Sequence, residues 1–137
     1  MPFEELSHTA DWSLRIWAAD LTQLFAESAR GMNALAGTKL AESPRVNKTF
    51  SASAEDAESL LVCFLSELVF FAEQETLAFD KIELKIDARE GQSCSLSATL
   101  SGANILSLNK SIKAVTFHNM QIHQTERGYE VDIVFDV

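Results

Sequence analysis

His8-Thr9-Ala10-Asp11 sets a carboxylate directly ahead of an apolar run in which Trp12, Leu14 and Ile16 alternate with Ser13, Arg15 and Trp17. Alternation of this kind predicts a strand with one buried face, so Asp11 falls at a strand mouth. A carboxylate there costs little if solvated and much if drawn inward without a cation or donors to compensate it. The other end of the chain offers companions. Val131, Ile133, Phe135 and Val137 form one apolar face of a last strand, with Glu130, Asp132 and Asp136 on the other. If the two terminal strands are neighbours, Asp11, Asp136 and the main-chain carboxylate of Val137 converge as hard oxygen ligands for a divalent cation. The plainer reading of Asp11 is a solvated strand-end acid, and spacing alone favours it, since functional acids are the minority.

The elements that must position these residues are legible in turn. Asp20 stands as an N-cap ahead of Leu21, Leu24, Phe25, Met32 and Leu35, with Gly37 as the stop, which predicts an amphipathic helix. Gly31 inside it marks either a close contact or a tolerated weak spot. After Ser43-Pro44, residues Arg45 to Ala52 predict a short strand, and Ser53 with Asp56 resembles a capping box that starts a second helix. Its stripe of Ala57, Leu60, Leu61, Phe64, Leu68 and Phe71, widened by Val62, Leu65 and Val69, predicts the core helix. Phe79 to Arg89 and Ser93 to Leu100 alternate cleanly around a turn at Glu90-Gly91-Gln92 and predict an antiparallel hairpin. Asn104 to Ser111 fits neither period and reads as loop with a possible short strand. Ala114 to Thr125 and Tyr129 to Val137, joined around Gly128, predict a closing hairpin. The fold class is therefore α+β: a mostly antiparallel sheet sandwich with two helices packed on one face.

Composition sets the limits. The 137 residues fit a single domain, 1–137, with 47% hydrophobic residues and a formal net charge of −9. That charge argues against direct nucleic-acid binding through phosphate contacts, and favours encounter with a basic protein surface. No run reaches the roughly 18 apolar residues of a membrane span, and Glu4 and Glu5 replace the basic region of a signal peptide, so the reading is cytoplasmic. Cys63 and Cys94 lack CxxC spacing and read as small core residues.

Four motifs in order, His8-Thr9-Ala10-Asp11, the helix Leu60-Leu61-Val62-Cys63-Phe64-Leu65-Ser66-Glu67-Leu68, Ile112-Lys113-Ala114-Val115-Thr116-Phe117-His118 and the ending Ile133-Val134-Phe135-Asp136-Val137, resemble the archease proteins over nearly the whole chain. The resemblance implies a small α+β protein that assists a GTP-dependent RNA ligase in tRNA splicing, promoting its guanylylation and turnover without ligating RNA itself. It implies that Asp11, Asp136 and Val137 hold a divalent metal, Ca2+ in preference to Mg2+. Lys113, His8 and His118 then become contacts to the partner or its nucleotide pocket. Lys113 reads equally as a surface cation or as an ammonium reaching acids or a phosphate. The imidazoles of His8 and His118 suit an oxygen-rich site poorly as ligands. Departures from the family pattern surround these residues. Trp12-Ser13 stands where a smaller apolar residue and then Gly or Ala are usual, Phe117 where Tyr is common, and Cys63 and Ser66 where Asp and Asn are often seen. Two other classes stay open, a stand-alone metal-dependent hydrolase using Asp11, Asp136 and His8, and a chaperone-like module needing an exposed apolar surface. Because the chain is so acidic, its association with a basic protein partner should weaken as salt rises. Titration at several ionic strengths checks this, and an affinity indifferent to salt would show that apolar contacts dominate.

Overall fold

The structure is a computed structural model that describes residues 2–6, 12–88, 92–117 and 119–137. Its α+β architecture holds two helices and two antiparallel sheets. The first sheet runs β1 (Phe3–Leu6), β2 (Trp12–Ala18), β9 (Gly128–Asp136) and β7 (Ala114–Thr116), with β8 (His123–Thr125) also paired to β9. In the second, β6 (Cys94–Ser107) takes β4 (Val46–Ala54) and β3 (Lys39–Leu40) along one path and β5 (Leu77–Asp87) as a further partner. Helices α1 (Leu21–Ala36) and α2 (Ala57–Glu75) lie against the apolar faces of these sheets. The first rests on β1, β2, β9 and β5, the second on β4, β5, β6 and β7. They meet through stacked Phe25 and Phe64 rings, 6.2 Å between centroids, both fully buried.

Local chemistry explains the element boundaries. Asp20 accepts the Gln23 N–H at 2.8 Å to open α1, and Gly37, at φ 66°, closes it. Gly31 proves to be a close contact. A Cβ there would lie 3.1 Å from Leu14 and 3.2 Å from Ile16, so the missing side chain lets α1 settle on β2. The start of α2 differs from the capping-box reading, because Ser53 belongs to β4 while Asp56 caps alone, accepting the Ser59 N–H at 2.7 Å. A cap needs a side-chain oxygen on the residue just ahead of the first turn, which is Asp56, whereas Ser53 is still paired in β4.

Several strands depart from the sequence reading, among them the two-residue β3, which was not expected. β1 was not foreseen, since Phe-Glu-Glu-Leu has no alternation, yet it pairs antiparallel with β2 from Phe3↔Ile16 to Leu6↔Ser13. β6 continues into the stretch read as loop with a possible short strand, as far as Ser107. The alternation breaks at Gly102, where a Cβ would sit 1.8 Å from the Ala78 carbonyl oxygen, at the register shift between Phe79 and Lys81 on β5. Ala114 to Thr125 is two short strands, β7 and β8, rather than one.

One core serves both sheets. Leu14 and Ile16 from β2, Val131, Ile133 and Phe135 from β9, and Leu96, Ala98 and Leu100 from β6 all meet the helices there. Cys94 joins it, and burial pushes its thiol up. Cys63, by contrast, is exposed on the outer side of α2, so its expected core role does not hold. Among the described residues no helix is long and apolar enough to cross a membrane. Replacing Phe64 by Ala removes the ring on which the helix contact rests, and should cost about 3–5 kcal/mol of unfolding free energy. Urea denaturation measures it, and a loss below about 1 kcal/mol would mean that the helices do not depend on this contact.

Candidate functional site

The end of the first sheet where β2 begins and β9 finishes gathers most of the residues of interest. Trp12 pairs with Phe135, Ser13 with Val134, and on the other side of β9 Ala114 pairs with Asp136. The Lys113 N–H donates to the Asp136 carbonyl at 2.8 Å, extending the ladder by one bond and tying the Lys113 segment to the end of β9. Phe135 is fully buried and anchors the strand, while Asp136 is exposed. Val137 is half-buried against the core, and the Lys113 side chain is exposed. Asp11, His8 and His118 lie outside the described residues, and the convergence expected for Asp11 and Asp136 is not tested by them. Among the described residues no group of three or more His, Cys, Asp or Glu is placed to hold a metal ion.

Two side chains at this end, Lys110 and Ser13, were not among the expected site residues. The Lys110 ammonium stands 3.1 Å from the centroid of the Trp12 ring. Its backbone N–H donates to the Ala36 carbonyl, so the C-terminus of α1 fixes the loop that delivers it. Lys110 falls within the stretch whose periodicity was unreadable, and its one cue was the bulky Trp12 beside the acidic motif. Ser13 is 2% exposed, and its hydroxyl has no hydrogen-bond partner among the described residues. Beneath Lys110 lies an apolar pocket of about 40 Å³ lined by Ala36, Val69, Ala72, Leu108 and Ile112. That space suits one solvent-sized guest and is far below the roughly 300 Å³ at which ligand pockets begin.

Elsewhere on the first sheet the outer face is held by ion pairs. Arg15 grips Asp132 with a two-pronged contact at 2.8 and 3.1 Å, and that carboxylate holds the guanidinium still more firmly in its charged form. At the far end Arg127 lies over the Trp17 ring, 3.9 Å from its centroid, and donates to Glu130. These pairs fix β2 against β9 and hence the register at Trp12.

A groove runs from the start of α2 to the segment following β7, lined by Asp56, Glu58, Ser59, Phe117, Met120 and Gln121. Glu58 accepts the Ile122 N–H at 3.0 Å and thereby ties that segment to the helix. Phe117 is 56% exposed, an apolar ring beside two carboxylates. A protein surface presenting apolar and basic side chains together would complement it.

The Archease family profile matches residues 3–137. The chain belongs to the Archease protein family. Curated archeases of Methanosarcina barkeri and Methanothermobacter thermautotrophicus are 29% and 30% identical to it, covering 98% of this chain in both cases and 95% and 98% of those proteins. The solution structure of protein 1598 of Methanobacterium thermoautotrophicum matches with a TM-score of 0.79 at 28% identity, over 99% of both chains. A Thermotoga maritima crystal structure, described as an archease and possible chaperone, shares the fold with a TM-score of 0.67 at 19% identity, over 98% of this chain and 96% of that one.

The cap of α2 gives a test of local electrostatics at the groove. Bonds from the Ser59 N–H and hydroxyl hold the Asp56 carboxyl below its ordinary range. A folded-state pKa below the unfolded one adds stability that is present above the unfolded value and lost as pH falls through the folded value. Asp56→Ala should therefore cost about 0.5–2 kcal/mol at neutral pH, with the gap closing in acid below the carboxylate range. Asp56→Asn should keep most of the cap and lose the pH dependence. Denaturant unfolding at neutral and acid pH compares the three chains, and a gap unchanged by pH would show that the carboxylate charge has no part in the cap.

Proposed function

We propose that this protein is a non-catalytic activator of a GTP-dependent tRNA-splicing RNA ligase, acting through a divalent-metal site formed by Asp11, Asp136 and the main-chain oxygens of Val137. The partner class is taken from the motif resemblance, which membership of the Archease family supports. The observation that carries the site is the β2–β9 register. Trp12, the residue after Asp11, faces Phe135, the residue before Asp136. The donor chemistry fits as well, since an exposed aspartate at a strand end offers hard oxygens of the kind Ca2+ and Mg2+ select. A bound divalent ion would supply positive charge to a transferring phosphoryl or nucleotidyl group.

The chain's own residues have separable tasks in this reading. Phe135 seats the strand end in the core, and the Lys113 N–H fixes the Asp136 backbone, so the Asp136 carboxylate is held at the surface. Lys110 and Lys113 place ammonium groups near that strand end, where they would meet phosphate oxygens of the partner's nucleotide. His8 and His118 are assigned to the partner contact and not to the ion.

A second reading, a chaperone-like protein-binding module, draws support from exposed apolar side chains. Phe70 is 46%, Leu106 70% and Phe117 56% exposed. The two readings separate in one set of assays. Asp136→Ala should lower cation affinity by at least the roughly 10–100-fold that loss of a supporting contact costs a metal site. Stimulation of multiple-turnover ligation should fall with it while the melting temperature stays near that of the parent, because Asp136 is exposed. Calorimetric Ca2+ and Mg2+ titration, thermal unfolding and ligation assays with the ligase read these three quantities. Unchanged cation affinity and undiminished stimulation would reject the metal site. Loss of stimulation in Phe117→Ala alone would favour the chaperone-like module.

A further inference from the structure

The long edge of the second sheet is unguarded on one side. β5, at one margin, carries Asp80, Lys81, Glu83, Lys85 and Asp87 and a register shift between Phe79 and Lys81, the usual protections of a sheet edge. The first sheet ends in β1, four residues with two glutamates, and in β7 and β8, three residues each. β4 differs from all of them. It runs nine residues, from Val46 to Ala54, in unbroken register with β6, and among the described residues it pairs with nothing else. It contains neither proline nor acidic residue, although the chain as a whole carries a net charge of −9. Its one charge, Lys48, turns toward α2, 3.4 Å from the Glu75 carboxylate and 5.9 Å from the centroid of the Phe71 ring. A row of backbone donors and acceptors is thus left with little to repel an incoming strand.

We propose that β4 is a self-association edge, and that a second copy of this chain adds its own β4 antiparallel about a twofold axis at Phe50. The sequence is complementary to itself in that register. Residues directly opposite across an antiparallel pair share a face and interact. On the outer face Thr49 meets Ser51 of the second copy and Asn47 meets Ser53, placing small polar groups together. On the inner face Phe50 meets its own counterpart, Lys48 meets Ala52 and Val46 meets Ala54, so no like charges oppose. Just beyond the strand, the Arg45 guanidinium reaches the other way, across β6 to Asp80 at 2.6 and 3.2 Å and to Ser101 at 3.0 Å, so it adds no positive charge at the free edge. The half-buried Phe50 gains cover from both copies. Two acidic molecules thereby meet at the strand where each lacks negative charge, and the two sheets become one continuous sheet. The surface used is separate from the Trp12 and Asp136 end of the first sheet.

The test exploits the register. Thr49→Lys with Ser51→Lys puts like charges opposite each other twice across the axis, at positions exposed in the single chain. Thr49→Glu with Ser51→Glu does the same with the other sign. Sedimentation velocity on the full chain should show the parent shifting toward twice the chain mass as concentration rises. Each double variant should remain at single mass with the parent's melting temperature. An equimolar mixture of the two variants should return to twice the chain mass, because Lys then faces Glu. A parent that remains single at the highest attainable concentration would overturn the proposal and leave the edge to a strand of another protein. Variants that pair as well as the parent, or a mixture that stays single, would overturn it by showing that the contact lies elsewhere.

Discussion

The stack of Phe25 on Phe64 sits in the one buried core to which both helices and both sheets contribute. Each helix presents apolar residues on more than one side, so each can lie on its own sheet and still reach the other helix. Because α1 also packs on β5 of the second sheet and α2 on β7 of the first, the stack lies inside a single core that both helices span. In it, Leu14 and Phe135 from one sheet and Leu96 and Leu100 from the other belong to the same buried cluster. The orientation of the first sheet, and so the position of the Asp136 strand end, follows from how α1 seats on β2 at Gly31.

Periodicity made the long elements readable because their alternation is driven by burial on one side. Both helices, the β5–β6 hairpin and the last strand were legible for that reason, and Asp20 and Gly37 marked α1 by cap chemistry. The failures have equally local causes. β1 exposes two consecutive glutamates at an edge, where burial imposes no pattern. β6 loses its alternation at Gly102, where backbone crowds backbone and the signal is an absent side chain. Cys63 looked like core because the apolar run of α2 is wider than its buried face. At the candidate site, Asp136, Val137 and Lys113 could be picked from strand patterning and motif resemblance. Lys110 could not, since its place over Trp12 is a tertiary contact delivered by a loop.

Charge is distributed more evenly than the net value of −9 suggests. Arg15 neutralises Asp132, Arg45 neutralises Asp80, and Arg127 neutralises Glu130, each across a strand or turn. Exposed pairs of this sort contribute about 0–1 kcal/mol each, so their main effect is on geometry and field, not on stability. They leave the groove acids Asp56 and Glu58 and the strand-end Asp136 as local sources of negative potential.

The joining of β2 to β9 has a kinetic side. Arg15 and Asp132 are 117 residues apart in sequence, and closing so long a loop precedes any gain from the strand contacts. β9 is also made after every other described element of the domain. During synthesis β1, β2 and α1 can therefore associate early, with the second edge of β2 still open, while the first sheet waits for its middle strand. The strand end that carries Asp136 comes into being only in the final step of assembly. A partially made chain thus has no means of displaying it, and the exposed Asp136 carboxylate takes its place only once the first sheet is closed.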